Sequence, residues 1–176
     1  MKLKTNNINN DQADRSNTAV CVACDIGSYK PNPGEAQCDI CPPYSKALFP
    51  GSVECKCNNG YYRSSSDFRN VSCSRPPSAP RNLTLTKVDT RSVTLSWQAP
   101  RDDGGRSDTV YRILCRNCGN EVRFNPRSSS TFQQTFITME NLSPGTAYRV
   151  EVFSENGVSS VARYVRSHAK YFCLIM

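Results

Sequence analysis

Histidine is almost missing from this chain: His168 is the only one in 176 residues. A single histidine nearly rules out the Cys/His and Ser/His pairs on which most nucleophilic catalysis depends. Tryptophan is equally scarce, with Trp97 alone. Long apolar runs are absent, and nothing approaches the roughly 20 residues needed to span a bilayer as a helix. No apolar core follows Lys2 and Lys4, where a secretory leader would place one. Basic residues outnumber acidic ones, 22 to 15, but the excess is spread thinly until the end of the chain. A nucleic-acid surface needs a concentrated basic face with aromatics between the charges, so the bulk of this charge reads as solvated surface. Arg163, Arg166 and Lys170 lie in a closing stretch without an acid, where an anionic membrane is a further, weaker reading.

Cysteine, by contrast, is abundant. There are ten, and seven lie between Cys21 and Cys73. That density marks a disulfide scaffold in an oxidising compartment. With no visible leader to deliver it there, the sequence reads as a piece of a longer protein or a product lacking its true start. Residues 1–18 are polar and pattern-free, and are expected to be disordered.

Residues 19–75 form the cysteine-rich region, and they contain a repeat. Cys21, Cys38 and Cys55 are spaced by 17, as are Cys24 and Cys41. Gly34 and Gly51 each stand four residues before a cysteine. The repeat suggests the pairs Cys24–Cys38 and Cys41–Cys55, each closing a loop worth about 3 kcal/mol in the chain-entropy account. Cys57 is then left with Cys73, and Cys21 with no partner in sight. A region this small needs such staples, because it cannot bury enough apolar surface. Spacing alone does not settle connectivity. Cys21, Cys24, Cys38 and Cys41 also fall close to the spacing of a four-cysteine zinc site, so a cytosolic zinc-binding adaptor is the alternative. The continuation of the period through Cys55, and the three cysteines beyond Cys41, favour disulfides. Asn70-Val71-Ser72 and Asn82-Leu83-Thr84 are glycosylation sequons, which suit a secreted surface.

Three prolines, Pro76, Pro77 and Pro80, make a stiff extended linker. Beyond it the pattern is all-β. Val93-Thr94-Leu95-Ser96-Trp97 alternates, Tyr111-Arg112-Ile113-Leu114-Cys115 follows, and Val150 and Val152 alternate after Tyr148. Leu142, a Pro144-Gly145 turn and Tyr148 resemble a tyrosine corner. Trp97, Tyr111, Leu142 and Tyr148 are therefore expected in the core of a β-sandwich over residues 76–165. The loop from Pro100 to Asp108 reads as a charged turn. Asp102 and Asp103 are adjacent and have no histidine or lysine to act with, so no acid–base site is expected. Cys115 and Cys118 suggest a local disulfide, since no βαβ pattern supports a redox motif.

Together these residues resemble a known family. The run Cys55-Lys-Cys57-Asn-Asn-Gly60-Tyr61-Tyr62-Arg63, the segment Pro77-Ser78-Ala79-Pro80, and Pro100-Arg-Asp-Asp-Gly-Gly-Arg-Ser-Asp-Thr-Val-Tyr111 carry the resemblance, and Asn156-Gly157-Val158-Ser159 closes it. They look like the ectodomain of an Eph (ephrin) receptor tyrosine kinase where an EGF-like, cysteine-rich region meets the first fibronectin type III domain. The resemblance implies a mostly β chain and a disulfide-bonded glycoprotein on the extracellular side of the plasma membrane. Its implied role is a non-catalytic stalk, spacing the ligand-binding domain and contributing to receptor–receptor clustering. It implies lateral partners among Eph ectodomains, with ephrins bound only through an upstream domain. It implies no nucleic acid, small-molecule substrate, metal or cofactor. A secreted decoy acting through the cysteine-rich face is a further reading. The pattern fades after Val158, so the last sandwich strand is doubtful, and residues 166–176 are expected to be a divergent basic tail. The ending Cys173-Leu174-Ile175-Met176 fits a prenylation box, a chance match in a secreted chain but a possible anchor in the zinc-binding alternative.

Overall fold

The computed structural model describes residues 2–4, 20–34, 36–127, 130–162 and 168–174. All regular structure among them is strand. The chain divides into two compact units, Met1–Cys73 and Ser74–Met176.

The first unit is built from the 17-residue repeat. Strand β1 (Lys2–Lys4) pairs antiparallel with β2 (Val20–Val22). Residues 2–4, expected within a disordered segment, pair with β2. Residues 5–18 lie outside the described residues. Strand β3 (Ser28–Tyr29) pairs with β4 (Asp39–Ile40), and β5 (Ser45–Lys46) with β6 (Lys56–Cys57). Each position in the second hairpin is 17 residues after its counterpart in the first. The correspondence reaches individual bonds: Ser28 Oγ donates to the Asp25 carbonyl, and Ser45 Oγ to the Pro42 carbonyl, both at 2.7 Å. It also accounts for a backbone outlier. Gly27 (φ 85°) and Tyr44 (φ 60°) occupy the same left-handed turn position. Glycine adopts that conformation without strain, whereas tyrosine does not. Tyr44 stacks on Tyr61 with ring centroids 4.4 Å apart.

Disulfides join Cys24 to Cys38, Cys41 to Cys55 and Cys57 to Cys73. The apolar centre they surround is small, comprising Tyr29, Ala47 and Cys55 with Cys41 against them. Main-chain bonds link the two repeats, from Gly27 N to Ala47 O and from Gly51 N to Cys24 O. The buried Lys30 donates through Nζ to the carbonyls of Gly34 and Ala36, fixing the turn inside the first loop.

The second unit is a two-sheet sandwich. One sheet contains β7 (Arg81–Val88), β8 (Ser92–Gln98), β10 (Arg123–Asn125) and β11 (Phe136–Glu140), in the order β10-β11-β8-β7. The other contains β9 (Val110–Arg116), β12 (Ala147–Glu155) and β13 (His168–Leu174), in the order β13-β12-β9. Alternation drives both: Val93, Leu95 and Trp97 from β8 meet Tyr111 and Ile113 from β9 and Tyr148, Val150 and Val152 from β12. Trp97 meets Tyr111 edge to face, with centroids 5.4 Å apart. Tyr148 Oη accepts a 2.8 Å bond from Ser143 N beside the buried Leu142. Phe132 joins this core through a bridge to Tyr111. A further disulfide joins Cys115 to Cys118.

The doubt over the last strand is resolved. Residues 168–174, expected within a basic tail, form β13 and pair with β12 from Ala147↔Leu174 to Phe153↔His168. The charge pattern that obscured this strand is what holds it. On β12, Arg149 lies directly opposite Arg116 of β9, an arrangement that repels on its own. Glu151 sits between them, 3.0 Å from Arg149 and 3.6 Å from Arg116, and is opposite Lys170 of β13. Burial pushes its carboxyl up, but the charges of Arg149, Arg116, Lys170 and His168 outweigh this and hold it below the ordinary carboxylate value. Nearby, Arg112 pairs with Glu155 at 2.8 Å and lies over the Phe153 ring, which also meets His168.

A group whose folded pKa is depressed contributes stability above its unfolded pKa and loses it as pH falls through the folded value. Glu151→Gln should therefore lower Tm at neutral pH. The gap to the unsubstituted protein should close as pH falls through and below the carboxylate range. Calorimetric melts across that range check both statements.

Candidate functional site: a clasp on the linker

The residues most specific in the sequence converge on the start of the second unit. The linker Ser74–Pro80 does not run through solvent. Ser74, Pro77 and Pro80 are buried. Two antiparallel main-chain bonds tie the linker to the loop 101–108: Arg75 N donates to Gly104 O at 3.0 Å, and Ser78 N to Asp102 O at 2.8 Å. Asp102 N donates back to Ser78 Oγ at 3.2 Å, and the Arg75 guanidinium pairs with the Asp102 carboxylate.

Asn156, just past the end of β12, closes the arrangement. It is 7% exposed. Its Nδ2 donates to the carbonyls of Arg75 (2.8 Å) and Asp103 (3.1 Å). Its Oδ1 accepts from Val158 N and Ser159 Oγ, both at 3.2 Å. All the side-chain capacity of this amide is thus directed at the linker, the loop and its own turn. Ser154 Oγ adds a bond to the Ser78 carbonyl.

Two glycines permit the approach. Gly104 has φ 78°, and a Cβ built on it would lie 1.7 Å from the Arg75 carbonyl oxygen. No side chain fits there. A Cβ at Gly157 would lie 2.8 Å from both Arg106 Nη2 and Asp108 Oδ2. Those two groups form a bidentate pair, Nε to Oδ1 at 3.0 Å and Nη2 to Oδ2 at 2.9 Å. Gly157 N also donates to Asp108 Oδ2 at 3.1 Å. The Arg106 hydrogen bond leads in holding the Asp108 carboxyl below its usual value, against a smaller effect of burial. Asp102 and Asp103 each cap the turn, accepting from Gly104 N and Gly105 N. These carboxylates hold the turn in place.

The remaining sites expected from sequence are dispersed. Cys24, Cys38 and Cys41 are engaged in disulfides, which corrects the four-cysteine zinc alternative: thiolates are the ligands such a site requires. Among the described residues no three His, Cys, Asp or Glu groups converge on a metal position. Cys173, the residue of the supposed prenylation box, lies in β13 opposite Tyr148. Asn70 and Asn82 are exposed, in a turn and on β7 respectively. Among the described residues no helix is long and apolar enough to cross a membrane.

The fibronectin type III domain profile matches residues 78–165. The chain belongs to the fibronectin type III family. A second profile, tyrosine-protein kinase ephrin type A/B receptor-like, matches residues 12–56. Among full-length relatives, Ephrin type-A receptor 4-A of Xenopus laevis is 39% identical over 149 residues, covering 79% of this chain and 15% of that protein. Ephrin type-A receptor 8 of Mus musculus is 39% identical over 159 residues, covering 85% and 16%. The human Ephrin type-A receptor 8 is 40% identical over 152 residues, covering 81% and 15%. The chain thus spans about a sixth of the length of the curated relatives it matches. The two profiles and these relatives support an Eph-type ectodomain region, cysteine-rich and then fibronectin type III, with the clasp at the entry to the latter.

Sequence reasoning found the Arg-Asp-Asp-Gly-Gly-Arg loop and the Asn156-Gly157 turn but not their joint purpose. The loop read as an ordinary charged turn because its main-chain carbonyls meet main-chain amides of the linker, and such pairs leave no residue signature.

Gly104→Ala should destabilise the fibronectin type III domain by about 2 to 4 kcal/mol, from left-handed strain plus displacement of the Arg75 carbonyl. At Gly105 the same φ of 78° has nothing within 4 Å, so Gly105→Ala should cost only the conformational penalty of about 1 to 2 kcal/mol. Parallel thermal melts of the two variants separate the clash from the strain.

Proposed function

We propose that this chain is a non-catalytic stalk region of an Eph-type receptor on the outer face of the plasma membrane. It sets the height of a ligand-binding domain and contributes to receptor–receptor contacts. The observation that carries the reading is the clasp. A spacer transmits position only if its linkers are stiff, and here the restraint on Ser74–Ser78 begins one residue after Cys73. Its disulfides give the first unit the rigidity that its small apolar centre could not.

The lateral contacts are assigned to the cysteine-rich unit, because its surface is unusually apolar for its size. Ile40 is 85% exposed, Phe68 79%, Phe49 73% and Ile26 67%. A shallow groove beside Leu48 and Phe49 is flanked by Lys46, Lys56 and Glu54. A contiguous exposed apolar patch marks an interaction surface, and this reading takes these side chains as parts of one. Ephrins would be engaged through another part of the receptor, and Eph ectodomains are the partners of this one.

The test is to secrete the chain behind a supplied leader and measure its binding to an immobilised Eph receptor ectodomain. Binding that weakens at least tenfold in Ile40→Glu or Phe49→Glu, with melting unchanged, supports the reading. Absence of binding at high density, or binding indifferent to both variants, overturns the lateral role.

A further inference from the structure

The second unit presents an exposed asparagine in an uncommon setting. Asn82 lies on β7 at φ 50°. Between Arg81 and Thr84 the register with β8 shifts: Arg81 faces Gln98 but Thr84 faces Ser96. The extra residue is a bulge, which bends and twists the strand locally. Asn82 and Thr84 are exposed, while Leu83 between them packs against the core. The asparagine and hydroxyl residue of the sequon are thus both at the surface, and the middle residue anchors the strand.

We propose that Asn82 is an N-glycan attachment site and that its glycan screens the edge of β7. The proposal rests on the extracellular reading above. In the transfer, Asn82 Nδ2 attacks the anomeric carbon of a lipid diphosphate-linked oligosaccharide. A carbon–nitrogen bond forms as the carbon–oxygen bond to the diphosphate breaks. The lipid diphosphate leaves, and one amide proton passes to a base of the transferring enzyme. The product keeps one N–H on Nδ2. That suffices for the bond Nδ2 now makes to Gln98 Oε1 at 2.9 Å, so the modified side chain retains its present orientation.

The reason to place a glycan here is the strand it stands on. In its sheet β7 pairs only with β8, at the end of the order β10-β11-β8-β7. The terminal strand of the other sheet, β13, comes near it, but the two are not paired in one sheet. Val88, at the far end of β7, is 64% exposed. A strand edge of this kind is a template for pairing with another chain, and a bulky hydrated glycan on the same strand is a barrier to that pairing. The bulge and the charges of Arg81 and Lys87 act in the same direction.

The experiment uses the full chain, secreted from a glycosylating host behind a supplied leader, in an Asn70→Gln background so that only one sequon remains. Thr84→Val removes that sequon while keeping Asn82, whose left-handed backbone a glutamine would strain. Thr84→Ser retains it. Peptide mapping after amidase release should show residue 82 converted to aspartate in the parent and in Thr84→Ser, and unconverted in Thr84→Val. Sedimentation should show the Thr84→Val and enzymatically deglycosylated proteins associating at concentrations where the glycosylated protein stays monomeric. Disulfide-protected, secreted protein with unmodified Asn82 would overturn the proposal and leave the extracellular reading intact. So would glycan-free protein as monomeric as the glycosylated form. Fully alkylatable thiols would overturn the extracellular reading itself, and this proposal with it.

Discussion

The Arg75 carbonyl oxygen occupies the space where any residue other than glycine at position 104 would carry its Cβ. The clasp depends on that close approach. It brings two main-chain bonds, the Arg75–Asp102 ion pair and both Asn156 Nδ2 bonds within reach of one another. Displacing the oxygen would take away one of the two acceptors of the buried Asn156 Nδ2, leaving only the Asp103 carbonyl, at a cost typical of a buried unsatisfied donor. The loop is therefore cooperative. Its turn caps at Asp102 and Asp103 set the glycines, the glycines admit the linker, and the linker completes Asn156.

The two halves achieve rigidity by different means, and each suits its composition. The first has few aliphatic residues and a small apolar centre, so covalent cross-links replace packing. The second packs buried side chains from both sheets into one sandwich core, then uses polar groups at its end to hold the entering chain. The outer face of the β13-β12-β9 sheet follows a third logic. Cations from three strands are placed around the carboxylate of Glu151, making a charge pattern that is unfavourable in parts favourable as a whole.

What could be read in the sequence follows from how local each signal is. The 17-residue repeat was legible because covalent closure demands cysteines at matching positions, and the hairpins at Ser28 and Ser45 recur with the same period. The sandwich was legible from the alternation around Trp97 and Val150. The last strand was not: His168 and Lys170 look like part of a solvated tail until Glu151, far back in the chain, supplies their counter-charge. Residues 2–4 were missed because a three-residue strand carries almost no periodic signal. The role of Asn156 was hidden for a related reason. Its bonds run to carbonyls 81 and 53 residues away, and every residue type has a carbonyl.

The account's central claim is that the linker is part of the folded second unit. Native-state hydrogen exchange at the Arg75 and Ser78 amides tests it most directly, since these are the two linker donors in the clasp. The account predicts protection close to that of amides in β8 and β12, lost only when the sandwich opens as a whole. Exchange at the rate of an unstructured peptide, with the sandwich core still protected, would contradict it.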